Sequence, residues 1–279
     1  MFNNNPKGGR GMERLDFSSK AASYEETGLI QKMTGRILLD LADISGSDRV
    51  LDLGCGPGGT TARIAQMTSG RVVGVDVSEG MIERAVATYS GPPHLSFLAR
   101  DAAQLDYLNE FDLIFCNSAF QWFTDPEPVV RQCWKALKPG GIMVIQAAAT
   151  RRYCPLFIEA VTGFASNPET AVIFKHFKSP YFFLDSAREY RELFTRFGFM
   201  VDYCELKQES NRFTIDEVMG IFKSGAENGY LNQAYYDIAL DSSYIETCRG
   251  ILRSLLQSKA DSDNKVALEF TRVYLKARK

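Results

Sequence analysis

The chain has 279 residues, 45% hydrophobic and 24% charged, an ordinary globular composition with room for one large α/β domain or two small ones. A net charge of −2 gives it no general attraction for nucleic acid or an anionic membrane. Six cysteines without a C-x-x-C pair, beside only two histidines, read as free thiols in a reducing compartment rather than a metal centre.

Residues 1–14 are polar and glycine-rich and read as a flexible tail with no apolar signal-peptide core. No apolar run approaches the roughly 18 residues that span a bilayer, so the expectation is a soluble, cytoplasmic protein. Over residues 17–41, Leu29, Ile30, Met33, Ile37, Leu38 and Leu41 recur at helical spacing, which predicts one or two helices ahead of the core. Tyr24 and Gln31 in this stretch are candidates for a lid over a ligand, with simple packing as the alternative.

Strands are predicted at about 49–53, 71–75, 95–99, 112–116 and 141–147, each rich in Val, Ile, Leu or Phe. Helical segments at 60–68, 79–89, 103–107 and 126–137 separate them, the alternation of a parallel sheet with helices on both faces. Lys138-Pro139-Gly140-Gly141 reads as the turn that stops the fourth helix and leads into the fifth strand.

The first strand runs into Asp52-Leu53-Gly54-Cys55-Gly56-Pro57-Gly58-Gly59. The glycines permit a sharp bend and a close ligand approach, and positions 54, 56 and 59 satisfy the G-x-G-x-x-G pattern of dinucleotide enzymes. Asp52 separates the readings. A carboxylate just before the bend opposes a pyrophosphate and attracts a ligand carrying an ammonium and a sulfonium, so the loop favours S-adenosylmethionine.

Asp76 ends the second strand, where an acid can accept both ribose hydroxyls of an adenosine; Ser78 is the better helix cap, which leaves Asp76 free. Asp101 follows the third strand and can accept the adenine amino hydrogens, while Ala102 offers a backbone N–H to the ring. Cys55, Val77 and Met81 complete the expected cofactor surface. The fourth strand delivers Asn117, and Gln121 and Trp122 follow at once, as candidates for orienting the substrate or the methionine moiety.

Beyond residue 150 the alternation breaks. Helical elements at about 150–197 and 208–264, interrupted by a strand near 199–206 and followed by one over 266–277, are expected to cap the sheet's C-terminal edge. The whole of 15–279 then reads as one domain. Between Arg131 and Arg196, ten basic residues against five acidic ones hint at an anionic substrate or an acidic carrier protein. His176 is the cap's one histidine and reads as a substrate-contacting or structural residue rather than a base. A carboxylate acceptor needs no base, because it is already ionised at neutral pH.

With Asp52-Leu53-Gly54-Cys55-Gly56, Asp76, Asp101 and Leu137-Lys138-Pro139-Gly140-Gly141 in order, the chain resembles the class I S-adenosylmethionine-dependent methyltransferases over about residues 15–147. The resemblance implies a Rossmann-like three-layer α/β sandwich, with a seven-stranded, mostly parallel sheet whose last strand is antiparallel and a helical cap insertion. It further implies methyl transfer that yields S-adenosylhomocysteine, without a metal. Gly54 and Gly56 would line the cofactor, Asp76 the ribose, and Asp101 and Ala102 the adenine.

Phe17-Ser18-Ser19-Lys20-Ala21-Ala22-Ser23-Tyr24 and Asn117-Ser118-Ala119-Phe120-Gln121-Trp122 look like two groups that esterify carboxylates, the malonyl-carrier-protein and trans-aconitate methyltransferases. The implied acceptor is a small or carrier-bound acid, with neither nucleic acid nor membrane as partner; no oligomeric state follows. The alternatives are C- or hydroxyl-O-methylation of a natural-product or quinone-like acceptor, a nicotinamide dehydrogenase, and a non-catalytic cofactor-binding partner protein.

Overall fold

The computed structural model describes residues 29–89 and 91–279. Its first described element is helix α1 (Leu29–Ala42), followed by the alternating segment β1 (Val50–Leu53), α2 (Gly59–Ala65), β2 (Val72–Asp76), α3 (Glu79–Tyr89), β3 (Leu95–Ala99), β4 (Phe111–Asn117), α4 (Pro126–Ala136) and β5 (Leu137–Ala148). Helices α5 (Pro155–Ser166), α6 (Pro168–Phe174) and α7 (Ala187–Arg196) follow, then β6 (Met200–Thr214). Three more helices, α8 (Ile215–Ser224), α9 (Glu227–Tyr230) and α10 (Ser242–Lys259), precede β7 (Lys265–Arg278).

The seven strands form one sheet in the order β3-β2-β1-β4-β5-β7-β6. The pairings from β3 to β5 are parallel, and β7 runs antiparallel to both of its neighbours. Strand order reverses between β1 and β4, the switch point at which open α/β sheets bind ligands.

Strand alternation divides the interior. Leu51, Leu53, Ile114 and Cys116 face a core shared with α4 and α7, through Val129, Val130, Leu193 and Phe194. Val50, Leu113, Phe115 and Val144 face the opposite layer, where they meet Leu38 and Leu39 of α1 and Ile64 of α2. Because both faces are covered, β1 is buried at every position, as its unbroken Val-Leu-Asp-Leu suggested.

The outer halves of β6 and β7 carry a second, aromatic core. Phe213, Val266, Leu268 and Phe270 pack there with Phe157 and Phe164 of α5, Phe222 of α8, and Tyr244 and Leu252 of α10. Within it Arg249 grips the buried Glu227 carboxylate with two hydrogen bonds, Nη2 to Oε1 at 2.8 Å and Nε to Oε2 at 3.1 Å.

Three elements differ from the sequence expectation. Strand β5 begins at Leu137, so the Lys138–Gly141 turn is the irregular start of the strand, with Gly140 at φ +80° and a register shift against β4. Strand β6 continues to Thr214, so residues 208–214 are extended rather than helical. Its outer half is polar because it is an edge strand, with only Phe213 turned fully inward. Helix α7, inside the stretch read as cap, packs on the main sheet core through Tyr190, Leu193 and Phe194.

The cysteines are free thiols, and all but the half-buried Cys204 are buried. Among the described residues no helix is long and apolar enough to cross a membrane. No group of three or more His, Cys, Asp or Glu side chains there is gathered as a metal would need.

Candidate functional site

A cavity of about 1200 Å³ opens at the C-terminal ends of β1, β2 and β4 and extends beneath the aromatic core. Single-ligand pockets usually occupy ~300–1,000 Å³, so this one has room for two reactants. One half is lined by Gly54, Gly56, Asp76, Val77, Met81, Asp101 and Ala102, and the middle by Asn117, Gln121 and Trp122. The far half is lined by Tyr153, Phe157, Tyr181, Phe183, Phe270 and Arg272.

The glycine loop is held by its own amides. Gly54 and Cys55 both donate to the Val75 carbonyl, at 2.8 and 2.9 Å, and Gly58 donates to Cys55 O at 3.1 Å. Gly56 donates to Asp76 Oδ2 at 2.9 Å. These four N–H groups are therefore spent inside the protein, whereas a pyrophosphate loop leaves such groups free for phosphate oxygens. Gly54 (φ +73°) is required sterically, since a Cβ there would sit 2.3 Å from Ala119 Cβ. At Gly56 (φ +54°) a Cβ would meet nothing within 4 Å and would occupy open space.

Asp76 is not free as the sequence suggested. Besides Gly56, it accepts the Ser78 N–H through Oδ1 at 2.9 Å, while Ser78 Oγ accepts the Met81 N–H at 3.3 Å. The carboxylate thus fastens the glycine loop to the start of α3 and still lines the cavity. Burial raises its pKa above the usual carboxylate value, against the lowering effect of these bonds. Asp101 caps the short turn Ala102–Gln104 by accepting the Ala103 N–H at 2.8 Å, and it too lines the cavity.

Asp52 does not line the cavity, contrary to the sequence expectation of a carboxylate facing the ligand. It is 2% exposed and accepts a hydrogen bond of 2.6 Å from Thr61 Oγ1, which ties β1 to α2. Burial pushes its pKa up to about 7, with the neighbouring Asp76 charge adding to the rise. Cys55 also lies off the cavity, its sulfur turned inward toward Gly74. The four bonded amides of the loop, and not a carboxylate aimed into the cavity, are what the structure shows at this turn.

Asn117 closes β4 opposite Gln146 of β5. Gln121 donates through Nε2 to Ser118 O at 2.8 Å, and its buried Oε1 has no hydrogen-bond partner among the described residues. The Trp122 ring lies 4.9 Å from that of Tyr181, so the middle of the cavity joins the aromatic wall. Burial pushes the Tyr153 and Tyr181 hydroxyls well above their ordinary pKa, which keeps them protonated.

His176 stands apart from the cavity, partly exposed, with Nδ1 2.7 Å from Asp237 Oδ1. The other histidine, His94, bonds the Ala65 carbonyl at 2.9 Å and also lies elsewhere. Arg151 and Arg152 of the basic stretch are exposed and do not line the cavity. Tyr24 lies outside the described residues, as does the side chain of Gln31. Sequence reasoning missed Arg272 and the aromatic wall, because β7 and the helices that bring them in are distant in sequence and carry no motif.

Residues 50–141 match the family described as a methyltransferase domain. The chain is 29% identical over 133 residues to the malonyl-[acyl-carrier protein] O-methyltransferase of Acetivibrio thermocellus, covering 47% of each protein. It is 37% identical over 102 residues to the trans-aconitate 2-methyltransferase of Deinococcus radiodurans, covering 36% of this chain and 38% of that protein. The chain thus spans less than half the length of these curated relatives. The structure of Haemonchus contortus phosphoethanolamine N-methyltransferase 2 in complex with S-adenosyl-L-methionine aligns with a TM-score of 0.58 at 18% identity, covering 94% of this chain and 57% of that one. Such a likeness shows a shared fold. Over residues 50–141 the chain thus resembles methyltransferase domains, and in sequence and architecture it is similar to the class I S-adenosylmethionine-dependent methyltransferases.

Proposed function

We propose that the protein is a cytoplasmic S-adenosylmethionine-dependent methyltransferase that esterifies a carboxylate of a small or carrier-bound acid. The observation that carries the reading is the two-part cavity: a glycine loop with spent amides and two acids at one end, an aromatic chamber at the other. Asp52 and Asp76 have no cationic partner among the described residues, and burial holds both pKa values high. A cation seated in the near half would relieve that cost, and a phosphate would increase it.

The open space beside Gly56 fits a bound adenosyl ligand, with Asp76 and Asp101 as acceptors for its hydroxyl and amino hydrogens and Val77, Met81 and Ala102 as apolar walls. S-adenosylmethionine supplies an activated methyl group on a sulfonium. Asn117, Gln121 and Trp122, where the two halves meet, would orient the acceptor for in-line attack and keep water out. Neither histidine reaches the cavity, which supports an acceptor that arrives ionised.

Transfer of labelled methyl from S-adenosylmethionine to a panel of acids tests the proposal. The expected product is an alkali-labile ester, with His176→Ala retaining turnover within about twofold. An alkali-stable product would instead favour the natural-product or quinone-like acceptor, for which the aromatic wall is suited. Failure to bind the methyl donor at all would contradict both.

A further inference from the structure

Strand β7 sets Arg272 opposite Ala148 of β5 and Lys207 of β6. The side chain is 6% exposed and lines the far half of the cavity. Its Cζ lies 4.7 Å from the centre of the Phe270 ring. Glu209 Oε2 stands 3.5 Å from Nε, and Nε makes no hydrogen bond among the described residues. Glu209 is itself engaged, accepting the Tyr274 hydroxyl through Oε1 at 2.6 Å.

Burial lowers the Arg272 pKa below the usual guanidinium value, so this one carboxylate does not compensate it fully. Taking a guanidinium out of water is costly unless its donors are matched, and its planar fork is suited to a carboxylate. The neighbouring Phe270 ring and Tyr153 hydroxyl offer that charge no carboxylate of their own.

Position decides which part of an acceptor Arg272 meets. Asn117, Gln146 and Tyr274 form a row across β4, β5 and β7, and Arg272 lies two residues farther along β7, opposite Ala148 at the C-terminal end of β5. It therefore sits beside the aromatic chamber rather than at the β1/β4 switch. A guanidinium clamping both oxygens of the reacting carboxylate would also hold the lone pair that must attack.

We infer that Arg272 anchors a second carboxylate, so that the acceptor is an apolar-bodied dicarboxylic acid which leaves as a half-ester; the identity of the reacting group rests on the reading proposed above. A free carboxylate oxygen forms the new bond to the methyl carbon, the carbon–sulfur bond breaks with its electrons retained by sulfur, and no proton moves. The anchored carboxylate is unchanged.

The test is calorimetric titration of α,ω-dicarboxylic acids and monocarboxylic acids of matched length into the full chain saturated with S-adenosylhomocysteine, with methyl transfer followed in parallel. Diacids are expected to bind at least about tenfold tighter than monoacids. Arg272→Met should abolish that difference and raise KM for the diacid, with kcat and S-adenosylhomocysteine affinity retained; Arg272→Lys should recover part of it. Should Arg272→Met fail to fold, Glu209→Gln serves instead, and tighter diacid binding is then expected because a competing carboxylate is gone. Equal binding of both acid classes, or an unchanged preference in Arg272→Met or Glu209→Gln, would overturn the inference. Diacids that bind through Arg272 but are never methylated would leave the anchor standing and remove the carboxylate-esterifying reading.

Discussion

Asp76 shows how one carboxylate can hold a loop and still line the cavity. Its two oxygens take the Gly56 and Ser78 N–H groups, each at 2.9 Å. Asp76→Ala should therefore weaken S-adenosylhomocysteine binding by about 1.5–3 kcal/mol, the scale of hydrogen bonds to a charged group, in a calorimetric titration. Unchanged affinity would remove Asp76 from the site. Asp52 invites a different measurement. Between the ordinary carboxylate pKa and about 7, the folded chain keeps a proton on Asp52 that the unfolded chain has lost. Its contribution to stability consequently falls as pH rises through that window. Asp52→Asn keeps an acceptor for Thr61 without the charge, and should stabilise the protein at pH 8 by on the order of 1–3 kcal/mol, with the gain shrinking toward pH 5. Denaturant unfolding at the two pH values checks this, and a gain that grows on acidification would contradict it.

At the scale of elements, the turn between β1 and α2 sets two glycines of opposite steric surroundings within three residues. A methyl group at Gly54 would collide with Ala119, whereas one at Gly56 would enter open space, and both positions have positive φ. Gly54→Ala should cost at least about 2 kcal/mol of stability, from the left-handed backbone and the clash together. Gly56→Ala should cost about 1–2 kcal/mol, from the backbone alone, yet weaken cofactor binding more than stability. Thermal unfolding and cofactor titration of both variants would show it, and equal binding losses at equal stability would speak against the division. This part of the molecule was the most legible in the sequence. Buried Val-Leu runs, glycines at fixed intervals and acids at strand ends are local signals, and they placed β1 to β4 to within a residue or two. The orientation of Asp52 is not legible there, because spacing alone does not tell a carboxylate facing a ligand from one facing Thr61.

For the whole molecule, the switch point between β1 and β4 and the aromatic core on the long β6–β7 ladder together define one cavity. That second core was only partly legible. The polar outer half of β6 does not look like a strand until its partner β7 is known, and nothing local links Arg272 to Tyr153 or Phe157. The proposal that unites the molecule is that a loop whose Gly54, Cys55, Gly56 and Gly58 amides are bonded inside the protein, with Asp76 fastened to it, accepts a cationic adenosyl ligand and rejects a dinucleotide. Parallel calorimetric titrations of S-adenosylmethionine and NAD into the same protein test it most directly. The expected result is saturable binding of S-adenosylmethionine, weakened in Gly56→Ala, with no heat from NAD at the same concentrations; saturable NAD binding without any response to S-adenosylmethionine would contradict it.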